Sequence, residues 1–409
     1  MKIFIGFINI ASQFNDIKQS FSDLNIDTLT VSRYAPSVIV NKDTDFNIQK
    51  AKSRVGYFRP GRISVRFKPW WDKQVDQFVF KKAINECDCF IFFWETFFPD
   101  HSDLKILKEK NKKIISVFVG DDARWYYAMK QEFEMYNLHP IQYDKDYDYT
   151  VKGLEERLSR IRTAEKYSDF IFSRLDQAQL QLKPYYRWNM MVNSGNFKNN
   201  PAQRIKPVIA HAPSFRAGKG TKYVLEAFKK LKEEGIEFDE LLIENVPNHK
   251  AIEMYGDADI LIDQLFCPGA GKLSTEAMAC GTIVMSNMSY DKYPQNTPSD
   301  CPIIDVDPDS LYDKLKKLIP DVEFRKEHAK KGRPYVEKHL DVSIFCKKVI
   351  DLLNGETIPF EYDPDFFAKH FVPESTESIP VYNKWNAFLK ETDWYKKNIK
   401  SGERAGLKF

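Results

Sequence analysis

The run Phe266–Ser286, FCPGAGKLSTEAMACGTIVMS, constrains this chain more than any other stretch. It holds a Gly-rich turn with Gly269 and Gly271, a short helix carrying one acidic residue, a Gly stop and an apolar strand. Just upstream, Asp259–Asp263 (DILID) reads as another strand, so the unit is strand, loop, helix, strand. The backbone N–H groups of Gly271, Lys272 and Leu273 are expected to project from the helix start, where the helix dipole favours an anion such as a diphosphate. Glu276, about one turn in, is placed to accept hydrogen bonds from sugar hydroxyls. A site that takes a diphosphate and a ribose side by side is a nucleotide site.

At 409 residues the chain is too long for one ordinary core, and two or three domains are expected. The 61 Lys and Arg nearly balance the 58 Asp and Glu, so global charge gives no argument for nucleic acid as a partner. No apolar run reaches the roughly 18 residues of a membrane span. The first residues, MKIFIGFINIAS, read as a strand rather than a signal peptide, because the long apolar region and small-residue cleavage site are missing. Six cysteines show no paired CxxC spacing, as expected of free thiols in a reduced protein that is cytoplasmic or peripheral at the inner face of a membrane.

Strands and helices alternate through the first third. Lys2–Ile8, Thr28–Val31, Cys89–Trp94 and Lys113–Val119 read as strands, and Phe14–Leu24, Gln77–Asn85 and His101–Glu109 as helices. The pattern restarts with strand Pro207–His211, helix Lys222–Glu234, strand Phe238–Glu244 and a helix over 249–255. Such alternation predicts an α/β fold of two Rossmann-like domains with mostly parallel sheets, facing each other across a cleft. The polar, Asn-rich Asn193–Arg204 reads as a linker. The expected divisions are 1–198, an acceptor-side domain; 199–355, a nucleotide-sugar domain; and 356–409, a tail with a helix near Val381–Ile399 packing back on the first domain.

The second half resembles the GT-B glycosyltransferases, especially the large retaining family with a Glu-x7-Glu signature. The resemblance is carried by IAHAPSFRAGKGTKYVLEAFKKL, ELLIENVPNHKAIEMYGDADILIDQL, GKLSTEAMACGTIVMSN, LYDKLKKLI and AKKGRPYVEKHL, all in one order. It implies a C-terminal domain that holds a UDP- or GDP-type nucleotide sugar and an N-terminal domain that holds the acceptor. Glu276 matches the second Glu of the signature, expected on the ribose hydroxyls, and Lys219 matches the lysine that pairs with the diphosphate. Asn245 and Val246 stand where the base meets the backbone. Two positions depart from the pattern. Pro268 replaces the first Glu, and Ser214 stands where an arginine is usual, with Arg216 as the nearby substitute.

In the first half, Gly120–Arg124 (GDDAR) follows an apolar strand and so lies at the carboxyl end of a sheet, where ligands bind in such folds. Asp121 and Asp122 are candidates to orient a sugar hydroxyl and Arg124 to meet a phosphate; a turn with a capping Asp is the equal alternative. Asn9, after the first strand, is a further candidate. Arg59, Arg62 and Arg66, in the basic and aromatic stretch Arg54–Lys82, suit a phosphorylated acceptor or anionic lipid headgroups, against an ordinary loop with its aromatics turned inward. His211 faces cleft or core. Asp144–Asp148 (DKDYD) mimics a calcium loop, but Tyr149 stands where the sharp turn needs Gly, so no metal is expected.

These readings converge on a metal-independent transferase that needs no cofactor beyond its nucleotide-sugar substrate. The acceptor expected is a saccharide, lipid-linked or protein-linked glycan, in surface-glycan biosynthesis. A non-catalytic nucleotide-sugar-binding subunit is the rival, since Pro268 removes a donor-sugar ligand. A nucleotide-sugar epimerase of the same shape is a third reading.

Overall fold

The computed structural model describes residues 1–34, 44–58, 62–140, 150–201, 203–364 and 379–398, with side chains omitted at 11, 54–58, 62–67, 379, 394 and 397–398. The described chain forms two compact units. One comprises the described residues of 1–125, 149–188 and 350–409; the other, those of 126–148 and 189–349.

The first unit holds β1 (Lys2–Phe7), α1 (Gln13–Asp23), β2 (Asp27–Ser32), β3 (Phe46–Asn47), α2 (Ile48–Phe58), α3 (Arg62–Glu86), β4 (Cys89–Phe93), α4 (Ser102–Glu109) and β5 (Lys113–Val117). After α5 (Tyr126–Met135), which belongs to the second unit, come α6 (Val151–Tyr167), β6 (Phe170–Ser173) and β7 (Tyr186–Arg187). The seven strands are ordered β3-β2-β1-β4-β5-β6-β7, and every pair is parallel. Parallel sheets are covered on both faces, so their strands read as unbroken apolar runs, as CFIFF of β4 does with all five residues buried. Phe4, Phe7, Phe90, Phe92 and Phe97 fill one side of this sheet with Leu104 and Leu107 of α4.

The second unit continues with β8 (Val208–His211), α7 (Arg216–Lys219), α8 (Thr221–Glu233), β9 (Asp239–Leu242), α9 (Asn248–Gly256), β10 (Ile260–Ile262), α10 (Lys272–Cys280), β11 (Ile283–Ser286) and β12 (Ile304–Asp305). Its sheet is ordered β12-β11-β10-β8-β9, again parallel throughout. Val224, Ala227, Phe228 and Leu231 of α8 recur at helical spacing and are all buried against Ile209, Ile260 and Ile262. Helix α10 stops at Gly281, whose φ of 89° lies in the left-handed region, with Thr282 N–H donating to Ala277 O (3.0 Å).

Three stretches differ from the sequence reading. Arg54–Lys82 is helical where described, over α2 and α3, and carries Pro69 inside α3 rather than forming a loop. The Asn193–Arg204 stretch is bound to the second sheet: Asn200 N–H donates to Cys280 O (2.9 Å), and Arg204 is fastened to Asp259. The expected helix over Val381–Ile399 is two, Ile379–Lys390 and Asp393–Asn398, the first packed on α6. All six cysteines are free. No helix among the described residues is long and apolar enough to cross a membrane.

Candidate functional site

The opening motif builds the start of α10. Gly271 is its N-cap in extended backbone, and no side chain caps the helix. The N–H groups of a helix start that no side chain caps, with the dipole behind them, favour an anion. Lys219, the last residue of α7, comes to this point from a different element. An ideal Cβ built on Gly271 lies 3.9 Å from Lys219 Nζ and 3.1 Å from Asp263 Oδ2, so a side chain here crowds the Asp263 carboxylate and glycine leaves it room.

Lys219 is held from below. Its Nζ donates to Asp263 Oδ1 (2.6 Å) and to Gln264 Oε1 (3.1 Å). Asp263, buried at the end of β10, accepts a second bond from Ser274 Oγ (2.6 Å) on α10. Burial alone raises this carboxyl's pKa, but Lys219 and the Ser274 hydroxyl outweigh it and hold the group below its ordinary value. The Gln264 amide donates to Cys267 O (3.1 Å) and Gly269 O (2.9 Å), which fixes the Gly-rich loop; Gly269 has a φ of 100°.

Glu276 sits one turn into α10, buried, with Oε2 accepting from the Tyr255 hydroxyl of α9 (2.5 Å). Burial and the Glu276 charge keep that phenol protonated far above its usual range. The Lys272 side chain runs the other way, to Met191 O (2.7 Å), so only its backbone belongs to the helix start. Leu273 packs partly buried against the core. Arg216 forms a two-pronged pair with Glu244, Nε to Oε1 (2.8 Å) and the second nitrogen to Oε2 (2.5 Å), at the surface. Asn245 follows it in left-handed backbone (φ 56°), and Val246 packs partly buried below. His211 is a core residue, bonded to Ile262 O (2.8 Å) and Thr221 Oγ1 (2.9 Å), and burial pushes its pKa down.

In the first unit, Asp122 is fully buried and turned into its own loop, with Gly120 N–H (2.7 Å) and Val119 N–H (3.1 Å) donating to Oδ1. Asp121 pairs with Arg124 (3.1 Å) three residues on. Asn9 Oδ1 accepts from Phe14 N–H (3.0 Å) and so satisfies a donor in the first turn of α1. Arg59 and Asp144–Asp148 lie outside the described residues; Arg62 and Arg66 are placed on α3, but their side chains are not described. Among the described residues no cluster of His, Cys, Asp or Glu has the makings of a metal site.

The sequence matches no protein-family model and no curated protein sequence. Solved structures do match. Sucrose-phosphate synthase from Thermosynechococcus elongatus superposes with a TM-score of 0.54 at 12% identity, over 87% of this chain and 99% of that one. TarM superposes at 0.56 and 10% identity, over 87% and 99%. Anabaena Alr3699/HepE, solved with UDP and glucose, gives 0.51 at 13% identity, also over 87% and 99%. The fold is GT-B. At these identities the likeness speaks to fold and leaves the chemistry to the residues.

In this GT-B chain the structure brings Lys219, Gly271 and the start of α10 together and places Glu276 one turn beyond. It gives Arg216 to Glu244 instead. Sequence reading missed Asp263, Gln264, Ser274 and Tyr255, the residues that position this group. Their signal is faint: a charged residue closing an apolar strand marks Asp263, but Lys219 lies 44 residues away.

Proposed function

We propose that the chain transfers a glycosyl group from a nucleoside-diphosphate sugar, of UDP or GDP type, to a saccharide, lipid-linked or protein-linked acceptor in surface-glycan biosynthesis. The observation that carries this reading is the Lys219 ammonium at the uncapped start of α10, with the Glu276 carboxylate one turn in. As the glycosidic bond breaks, negative charge grows on the departing diphosphate. Fixed N–H groups and an ammonium already held in place stabilise that charge without rearranging. Asp263 and Gln264 do the holding, and Glu276 is the acceptor for ribose hydroxyls. The complexes of Alr3699/HepE with UDP and of an alpha-glucosyltransferase with UDP-glucose support a nucleotide-sugar donor for this fold. No metal has a part in this scheme, and retention of configuration follows from the resemblance.

Calorimetric titration with UDP and GDP tests the site. Lys219→Ala and Glu276→Ala are each expected to weaken binding at least tenfold, about 1.4 kcal/mol. Because Glu276 is buried against Tyr255, Glu276→Gln is run beside it as the variant that keeps the fold. Unchanged affinity in all three overturns the assignment.

Pro268, in place of the Glu expected on the donor sugar, favours a second reading: a subunit that binds the nucleotide sugar for a partner transferase. Thermal stabilisation by UDP-sugars with neither transfer nor donor hydrolysis selects it.

A further inference from the structure

A cavity of about 750 Å³ lies within the first unit, and none of the candidate residues above lines it. Arg33 and Glu95 reach it from just beyond β2 and β4, His101 from the start of α4, Glu156 and Arg160 from α6, and Trp385 from the Ile379–Lys390 helix. We propose that this cavity binds a neutral saccharide, recognised through hydroxyl groups. Its role as the acceptor rests on the transfer reading above; the saccharide site itself does not.

Charge argues first. The lining carries four carboxylates against three cations. Two of those cations are already engaged: Arg33 with Glu95 and with Thr96 O (2.8 Å), Arg160 with Asp122 O (2.7 Å). Lys384 pairs with Glu155 (2.8 Å) from outside the lining, so a phosphate entering here meets no net positive charge and only Lys152 uncommitted among the lining cations. A hydroxyl, which donates and accepts, suits such a mixed wall.

His101 argues second. It is only 6% exposed, and its Nδ1 lies 3.2 Å from Thr96 Oγ1. The single Thr96 proton is committed to Asp103 Oδ1 (2.8 Å) or Phe98 O (3.1 Å), so Thr96 accepts from an Nδ1–H. That tautomer leaves Nε2 with a lone pair, and no described residue donates to it. Burial and the Arg160 charge push the ring down to about 4, so at neutral pH it is an uncharged acceptor on the cavity wall. An acceptor on a cavity wall that no described protein donor meets is open to a ligand O–H.

The test is saturation-transfer NMR on the full chain with maltose, cellobiose, lactose and N,N′-diacetylchitobiose, and phosphorus NMR with inorganic phosphate. At least one disaccharide is expected to give a signal that falls at least fivefold in Ser159→Phe, which fills the cavity, and in His101→Leu. Both variants are checked for native far-UV circular dichroism. Disaccharide signals that are absent, or that survive both substitutions, overturn the proposal. So does phosphate binding that Ser159→Phe abolishes. UDP titration of the same samples separates the two readings. If UDP fails to bind while disaccharide signals respond to Ser159→Phe, glycosyl transfer falls and the saccharide site stands.

Discussion

At the scale of residues, the most informative group is Asp103–Thr96–His101, because its two ionisable members are displaced in opposite directions. Burial pushes Asp103 up to about 6 and, with the Arg160 charge, pushes His101 down to about 4. As pH falls from about 6.5 to about 4, unfolded His101 takes up a proton that the folded ring refuses, and stability drops. Over nearly the same window folded Asp103 takes up a proton that the unfolded carboxyl refuses, and stability rises. The two contributions oppose each other. In urea titrations against pH, His101→Gln is therefore expected to make the protein relatively more stable as pH falls toward 4. Asp103→Asn is expected to make it relatively less stable over the same range. Parallel profiles for both variants overturn the assignment. The same scale shows what sequence reveals about a site. Lys219 and Glu276 stood out through their motifs. Asp263 did not, because a buried carboxylate under an ammonium is a property of the fold, joining residues from β10, α7 and α10.

Among elements, α10 is the one whose ends were most legible. Gly271 and Gly281 frame it in the sequence, and the structure uses each for a separate reason: a close approach at the start and left-handed backbone at the stop. Gly281→Ala imposes the left-handed penalty and places a Cβ 2.7 Å from Asn199 Oδ1 and 3.1 Å from Pro201. A loss of about 2 kcal/mol is expected in urea denaturation, and a loss below about 0.5 kcal/mol counts against this role for the stop. Helix α6 went unread although Thr150 caps it, accepting from Gly153 N–H (3.0 Å), and Leu154, Leu158 and Ile161 keep helical spacing. Its inward face also carries Arg157, Arg162 and Glu165, all buried, which breaks the apolar pattern. Strands β3, β7 and β12 have two residues each, too short for any periodicity to register.

For the molecule as a whole, alternation of apolar strands with amphipathic helices was enough to give two parallel α/β sheets. Strand order was not, since nothing local says that β1 lies between β2 and β4. Nor does local sequence say how the late helix at Ile379–Lys390 is received. Arg162, wholly buried, forms an ion pair with Glu165 (2.8 Å) and donates through Nε to Asn386 Oδ1 (2.7 Å). Asn386→Ala leaves a buried guanidinium N–H without its acceptor, and a cost of about 1–3 kcal/mol is expected. Hydrogen exchange along α6 reports it: faster exchange there is the expected result, and unchanged exchange shows that the contact adds little.

The Arg162–Asn386 bond also orders events in time. Its partners are 224 residues apart in the chain. At a synthesis rate of roughly 5–20 residues per second, the arginine leaves the ribosome on the order of ten to forty seconds before the asparagine exists. Throughout that interval the charge must remain hydrated or be shielded by something else. The first unit, begun earliest, therefore acquires this part of its interior late, and until then the face of α6 that Asn386 covers stays open to chaperones and proteases.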